Sequence, residues 1–265
     1  MRRLLSLRGA CAIGALAIGA LLGPTQSAQA VTLYNRSPAA GGPASAQNWV
    51  TAGVWNTNPT LPGTPVTWTD GANAGSDLVI IGNATNDLWF LESGANRTIG
   101  NLTVQQGQPV LDGNPAYPGL VFFTMAGTGP GVNRPVINII PPVLASATPR
   151  LFLYNSLTAV NGFRKTGPGY AMIGGNDAYG VGSTITAEAG LLQINMNAGQ
   201  HVYHNKGAVA HFEVLNSGTT LRIGGANNVP GTGTASAFAG QQAFGSLSGD
   251  AGTLFVAASG STRMA

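Results

Sequence analysis

The acidic residues are the first candidates for chemistry, because paired carboxylates carry out general acid–base reactions and glycoside hydrolysis. The chain has nine acids, none of which is adjacent to another or one residue apart, and no Glu-x-x-His group occurs. Scattered single acids are typical of turns. The sequence therefore predicts no catalytic residues, with a glycan-acting enzyme, whose acids would meet only in space, as the alternative. The nine are Asp70, Asp77, Asp87, Glu92, Asp112, Asp177, Glu188, Glu213 and Asp250.

The histidines are the second candidates, because imidazoles bind metals. The three in the chain are His201, His204 and His211. Residues three apart on a strand point to opposite faces, and Glu213 is the one further ligand nearby. No phosphate-binding loop, serine elbow or zinc-ligand spacing occurs either. We therefore expect neither a metal nor a cofactor.

The four tryptophans lie between positions 49 and 89, and none follows. Tryptophans are mostly buried, so this clustering predicts an aromatic cap over one end of the fold. Flat indole rings also stack on sugars, so a carbohydrate-binding module at this end is the alternative. The four are Trp49, Trp55, Trp68 and Trp89.

The first 30 residues have the pattern of a secretory signal peptide. Arg2, Arg3 and Arg8 precede an apolar run that is too short to cross a bilayer comfortably, and Ala28 and Ala30 frame an A-x-A cleavage site. We expect a signal-peptide helix over residues 1–30, cleavage after Ala30, and no transmembrane segment in the mature chain. The protein would then lie at the cell surface or outside the cell, or in the periplasm if truncated.

Removal of the signal changes the charge and the cysteine content. It takes away three of the 12 basic residues and the only cysteine, Cys11. The remaining nine basic and nine acidic residues balance, so the basic pI is no argument for a nucleic-acid partner. An exported chain without cysteine forms no disulfide, and its stability must come from packing and backbone hydrogen bonds.

These features need a scaffold, and the glycine pattern predicts an all-β one. The chain has 39 glycines and 16 prolines, and they separate short runs of alternating apolar and polar residues. Such runs recur every 10 to 20 residues, for example at 77–81, 98–104, 170–173 and 220–223. We expect a lead-in over 31–48 and a solenoid over 49–265, with room for about ten rungs of 20 to 25 residues.

One stretch, from Gly162 to Ile194, has the clearest pattern of a repeat unit. Its expected structural residues are Gly162, Phe163, Lys165, Gly167, Gly169, Ile173, Gly175, Tyr179, Gly182, Thr184, Ile185, Gly190, Leu192 and Ile194. This set resembles the autotransporter-associated β-strand repeat, also called the passenger-associated transport repeat. The segment differs from the family pattern at Ala171, at Asp177 and at the apparent insertion Glu188-Ala189. From the residues alone, Lys165 is expected at a solvated turn, where it would bond carbonyl groups.

The resemblance implies a fold, a role and partners. The fold is a right-handed parallel β-helix, and the role is that of a non-catalytic passenger, structural or adhesive, whose repeat assists export. Such passengers work with an outer-membrane translocator barrel, which this sequence does not contain, and meet a host or glycan surface.

Overall fold

The computed structural model describes most of the chain after the expected signal peptide. The described ranges are 31–36, 46–60, 64–84, 88–92, 94–112, 122–126, 134–143, 150–153, 156–174, 178–179, 182–194, 210–223, 227–228, 235–236, 242–244, 246–257 and 262–264. The signal peptide with Ala28 and Ala30, and the residues Gly175, Asp177, His201 and His204, lie outside them.

The described residues form short strands and a single helical turn, α1 (Asp70–Asn73). In chain order the strands are β1 (Thr32–Arg36), β2 (Ala46–Asn48), β3 (Trp55–Asn56), β4 (Pro65–Val66), β5 (Asp77–Ile81), β6 (Leu88–Glu92), β7 (Arg97–Ile99), β8 (Leu102–Gln106), β9 (Gln108–Asp112), β10 (Phe122–Met125), β11 (Val136–Ile139), β12 (Leu151–Leu153), β13 (Ser156–Ala159), β14 (Gly162–Thr166), β15 (Tyr170–Ile173), β16 (Ala178–Tyr179), β17 (Thr184–Ala187), β18 (Leu191–Ile194), β19 (His211–Val214), β20 (Thr220–Ile223), β21 (Asn227–Asn228), β22 (Ala235–Ser236), β23 (Gln242–Phe244), β24 (Ser246–Gly249), β25 (Leu254–Ala257) and β26 (Thr262–Met264).

Three parallel sheets organise these strands, and the chain visits them in turn. The first sheet contains β1, β5, β8, β11, β14, β17, β19 and β24 in parallel order, and the second contains β2, β6, β9, β12, β15, β18, β20 and β25. The third contains β7, β10, β13 and β16, while β23 and β26 form a separate parallel pair. The predicted all-β class is confirmed, and the parallel sheets are consistent with a β-solenoid.

Each coil stacks on the coil before it in register. Phe163 is the partner of Ile185, which is the partner of Phe212, which in turn is the partner of Leu247. Parallel strands are spaced at ~4.8 Å, so the eight strands of the second sheet span about 34 Å. The described residues therefore stack as eight rungs rather than the ten expected from length.

The interior is a column of apolar side chains from all three sheets. Its members alternate with half-buried or exposed neighbours in the first sheet, as in the burial of β11 and β19 on every second residue. The second sheet differs, since every residue of β15 and β18 is buried. A strand that is buried on both faces has a continuous apolar sequence, which explains the Tyr-Ala-Met-Ile run of β15.

The four tryptophans are buried at the N-terminal end of this column. Trp49, Trp55, Trp68 and Trp89 are each at most 2% exposed, and the rings of Trp49 and Trp55 lie 4.7 Å apart. The short antiparallel strands β3 and β4 lie beyond β1, at the edge of the first sheet. Buried indoles offer no face to a sugar, which favours the predicted aromatic cap over a tryptophan-lined carbohydrate platform.

Two expected boundaries differ from the structure. β1 pairs with β5 over five residues, so the first rung begins inside the segment 31–48 that was interpreted as a lead-in. The single run expected at 98–104 is divided between β7 and β8. A corner at Gly100 separates them. Only glycine fits at this corner, because a Cβ there would lie 2.4 Å from a carboxylate oxygen of Asp77.

Candidate functional site

The repeat-like segment 162–194 covers one full coil and two strands of the next. It begins at β14, continues through β15 and β16, and ends with β17 and β18. Its apolar positions Phe163, Ile173, Ile185, Leu192 and Ile194 are buried in the central column. Its Thr184 is half-buried, Tyr179 packs against the column, and its described glycines lie at strand ends or between strands.

Lys165 occupies the interior of this coil. Its side chain is 0% exposed, and its register partners are Ile137 in the coil before and Ala187 in the coil after. It therefore takes a position in the inward-facing stack that apolar residues fill in the neighbouring coils. The expectation that Lys165 is exposed to solvent was wrong. Lys165 is two residues after Phe163 on the same strand, so both side chains point inward.

The ammonium group of Lys165 binds three backbone carbonyl groups at two successive corners. Nζ donates to the carbonyl oxygen of Gly167 at 2.7 Å and to that of Gly169, both in its own coil. It also donates to the carbonyl oxygen of Ala189 in the following coil at 2.5 Å. An ammonium has three donors, so all of them are used, and the expectation that Lys165 bonds carbonyl groups is confirmed. We call this arrangement the lysine clamp.

Two opposing effects act on the charge of the clamp. Burial lowers the pKa of Lys165 to about 7 from its ordinary value of 10.5. Three carbonyl dipoles aimed at Nζ favour the charged form, because a neutral amine would donate only two hydrogen bonds. The three carbonyl acceptors therefore stabilise the ammonium form of Lys165, whereas burial favours loss of its proton.

The corners that receive Lys165 are built from glycine because no larger residue fits. Gly190 has a φ of +65°, and a Cβ there would lie 2.4 Å from the carbonyl oxygens of both Pro168 and Gly169. The successive corners thus stack backbone on backbone, which brings the Ala189 carbonyl within reach of the lysine of the coil before.

An ion pair lies on the outer face beside the clamp. Arg164 donates to both carboxylate oxygens of Glu188, with Nη2 at 2.9 Å from Oε2 and Nε bonded to Oε1. Thr186 Oγ1 donates to Glu213 Oε2 at 2.8 Å on the next coil, and the Nη2 of Arg134 lies 4.0 Å from that oxygen. Glu188, at the apparent insertion, thus ties its coil to the one before.

The sequence analysis did not predict a second polar contact, which lies on a buried face of the second sheet. The hydroxyl of Tyr170 donates to Gln193 Oε1, which also accepts from Arg222 Nη1 at 3.2 Å. Burial raises the pKa of Tyr170 to about 12, against the opposing effect of Arg222. These residues occupy three successive strands of the second sheet, and the polar Gln193 within the apolar run of β18 was the signal for them.

The other candidates do not converge. His211 is exposed, with Nδ1 2.5 Å from Ser246 Oγ, and Asp70 binds Arg97 and Trp68 at the N-terminal end. Among the residues that the structure describes, no three histidine, cysteine or acidic side chains are placed to hold a metal ion.

Comparison with known protein families, with curated proteins and with solved structures gave no match to this chain. Within the described ranges, no helix has the length and apolar character needed to cross a membrane.

Proposed function

We propose that this chain is an exported, non-catalytic β-solenoid of the passenger type, in which the segment 162–194 assists export by fixing one coil onto the next. The single observation that carries this proposal is the lysine clamp. Lys165 has two of its acceptors in its own coil and the third, Ala189, in the next. The clamp is complete only when both coils are in place. It therefore stabilises the docking of the coil of Ala189 on the coil of Lys165.

The proposal extends to handedness, place and partners. A right-handed coil is favoured, because crossovers between parallel strands of one sheet are right-handed in almost every known case. The signal-like residues 1–30 support export to the cell surface or the exterior. A translocator barrel encoded elsewhere is the proposed partner for export, and a host or glycan surface is the proposed target of adhesion.

Stacked coils provide a physical route for such export. In a solenoid each unit contacts only its neighbours, so folding can propagate one coil at a time. Successive docking outside the membrane would draw the chain outward without another energy source. A coil whose corner carbonyl groups are hydrogen-bonded by Lys165 resists slipping back better than one in which these carbonyl groups lack that donor.

The experiment joins the chain to the translocator barrel of an unrelated autotransporter in a Gram-negative host. Surface display is measured as the fraction of the chain cut by external protease on intact cells. Lys165→Met is expected to lower that fraction severalfold. Arg36→Met is the matched control, because Arg36 also donates two hydrogen bonds to a carbonyl oxygen, that of Pro59, but outside the repeat. Equal display of both variants and the parent would refute the export role.

The glycan-acting enzyme has its own test. The purified protein is expected to leave a panel of polysaccharides uncleaved. Cleavage that disappears in Glu188→Gln or Glu213→Gln, the two carboxylates on the outer face of successive coils, would establish an enzyme instead.

A further inference from the structure

The side chain of Arg134 reaches across one coil to the coil beyond it. Arg134 lies two residues before β11, and its Nη1 donates a hydrogen bond to the carbonyl oxygen of Thr184 at 2.5 Å. Thr184 begins β17, and β14 lies between β11 and β17 in the first sheet. Two rung spacings, or about 9.6 Å, separate β11 from β17. The bond therefore joins coils that are second neighbours, and we call it the arginine bridge.

Gly162 is the residue that Arg134 passes on the way to Thr184. Val136 is the register partner of Arg164, which places Arg134 level with Gly162, and Gly162 is the partner of Thr184. A Cβ on Gly162 would lie 1.9 Å from the Thr184 carbonyl oxygen, the same atom that accepts from Arg134. A side chain at position 162 would occupy the space around this oxygen. Glycine leaves that space open to the guanidinium.

The guanidinium of Arg134 also interacts with the coil after that of Thr184. Its Nη2 lies 4.0 Å from Glu213 Oε2 on β19, and this oxygen accepts a hydrogen bond from Thr186. Burial lowers the pKa of Arg134, the Glu213 carboxylate raises it, and the Arg164 guanidinium lowers it. Groups from the three following coils therefore act on this one side chain, which is 9% exposed.

A bond between second neighbours affects how the coils open. In a solenoid each unit contacts only its neighbours, so single coils can open one at a time. The arginine bridge breaks when the coil of β11, the coil of β17 or the coil of β14 between them leaves its place. Each partial opening of the three thus loses the same charge-assisted hydrogen bond, which favours opening of all three together.

The coil of β11 depends on the arginine bridge more than the other two coils do. In the coil of β14, Arg164 binds both carboxylate oxygens of Glu188 in the next coil, beside the lysine clamp. The coils of β11 and β14 are joined by a neutral side-chain hydrogen bond, from Thr166 to Asn138 at 3.2 Å. Charge-assisted hydrogen bonds are roughly twice as strong as neutral ones. Removal of Arg134 should therefore weaken the attachment of β11 most.

We propose that Arg134 couples the coils of β11, β14 and β17 into one cooperative unit. This unit is a property of the folded protein, so the proposal does not rest on the export role and is tested without it. If the export role holds, this part of the chain would emerge in a step of three coils rather than one.

The test is native-state hydrogen exchange of the purified protein over a series of denaturant concentrations. In the parent, the amides of β11, β14 and β17 are expected to share one opening with a common denaturant dependence. In Arg134→Met, the amides of β11 are expected to separate from the others and to exchange roughly tenfold faster, the effect of losing a hydrogen bond to a charged group.

Arg222→Met is the matched control, because Arg222 also donates to another coil, to Gln193 Oε1 at 3.2 Å, but only to a neighbouring one. It is expected to leave β11, β14 and β17 in one opening.

A second variant keeps the test decisive if Arg134→Met does not fold. Arg134→Lys keeps the charge and much of the apolar stem but lacks the fork that bonds Thr184 and faces Glu213 at once. Its β11 amides are expected to exchange severalfold faster than those of the parent. The proposal is overturned if β11 opens independently in the parent, if the folded Arg134 variants keep the three strands in one opening, or if Arg222→Met separates β11 to the same extent.

Discussion

The ammonium nitrogen of Lys165 lies 2.5 Å from the carbonyl oxygen of Ala189, a residue 24 positions later in the chain. A side chain buried in one coil thereby closes the corner of the next. Removing the ammonium takes a donor from three carbonyl groups at two stacked corners, of which Gly169 keeps the backbone N–H of Leu191 at 3.2 Å.

Lys165→Met is expected to lower the free energy of unfolding by about 2–3 kcal/mol, because buried acceptors lose their partner while the apolar volume is kept. Chemical denaturation measures this change. Arg36→Met, which removes two hydrogen bonds at an exposed site, should cost less than about 1 kcal/mol. A Lys165→Met protein as stable as the parent would show that the clamp adds nothing to stability.

The pH dependence of stability should also reveal the clamp. Burial lowers the pKa of Lys165 to about 7 in the folded protein, whereas the unfolded chain has the ordinary 10.5. Between these values the unfolded chain binds more protons, so the contribution of Lys165 makes unfolding harder as the pH rises from about 7 to 10. Below about pH 7 Lys165 is protonated in both the folded and the unfolded state, so this gain in the free energy of unfolding is lost. Denaturant midpoints across that window should rise more steeply for the parent than for Lys165→Met, and equal slopes would contradict the lowered pKa.

Tyr170→Phe tests the buried contact with Gln193. The loss of one hydroxyl hydrogen bond should cost about 1 kcal/mol, since Gln193 keeps its contact with Arg222. Burial raises the pKa of Tyr170 to about 12, so the parent should show a tyrosine that ionises later than the others in an ultraviolet titration. That late step should be absent from the variant; its persistence would assign the raised pKa to another tyrosine.

Two glycines of the repeat should respond unequally to alanine. Both Gly162 and Gly182 have a positive φ, at +81° and +70°. A Cβ on Gly162 would lie 1.9 Å from the Thr184 carbonyl oxygen, whereas nothing lies within 4 Å at Gly182. Gly182→Ala should cost about 1 kcal/mol of backbone strain, and Gly162→Ala considerably more or prevent folding. Thermal melting compares the two, and similar losses would disprove the close approach.

The sequence allowed the all-β class and several strands to be predicted, because glycine separates short apolar runs throughout. The run 77–81 coincides with β5, and 170–173 coincides with β15. The burial of Lys165 could have been inferred from its parity with Phe163. It was missed because lysine is almost never fully buried unless paired, and its partners are backbone carbonyl groups that no residue type reveals.

The contacts between coils could not have been predicted for a related reason. They depend on which corners stack beside one another, and corner lengths follow from strand ends that a sequence locates only within a few residues. The apparent insertion Glu188-Ala189 was visible in the sequence, but its contacts with Arg164 and Lys165 arise only across coils.

Each inner strand of the parallel sheets pairs with the corresponding strands of the coils before and after it, and this order has an evolutionary consequence. A whole coil could be duplicated or deleted without redesigning the rest, since the new neighbours would meet through the same kind of surface. The coil closed by Lys165 is an exception, because its ammonium requires an acceptor corner in the coil that follows. A lineage could therefore change its length freely elsewhere, but these two coils would have to be gained or lost together.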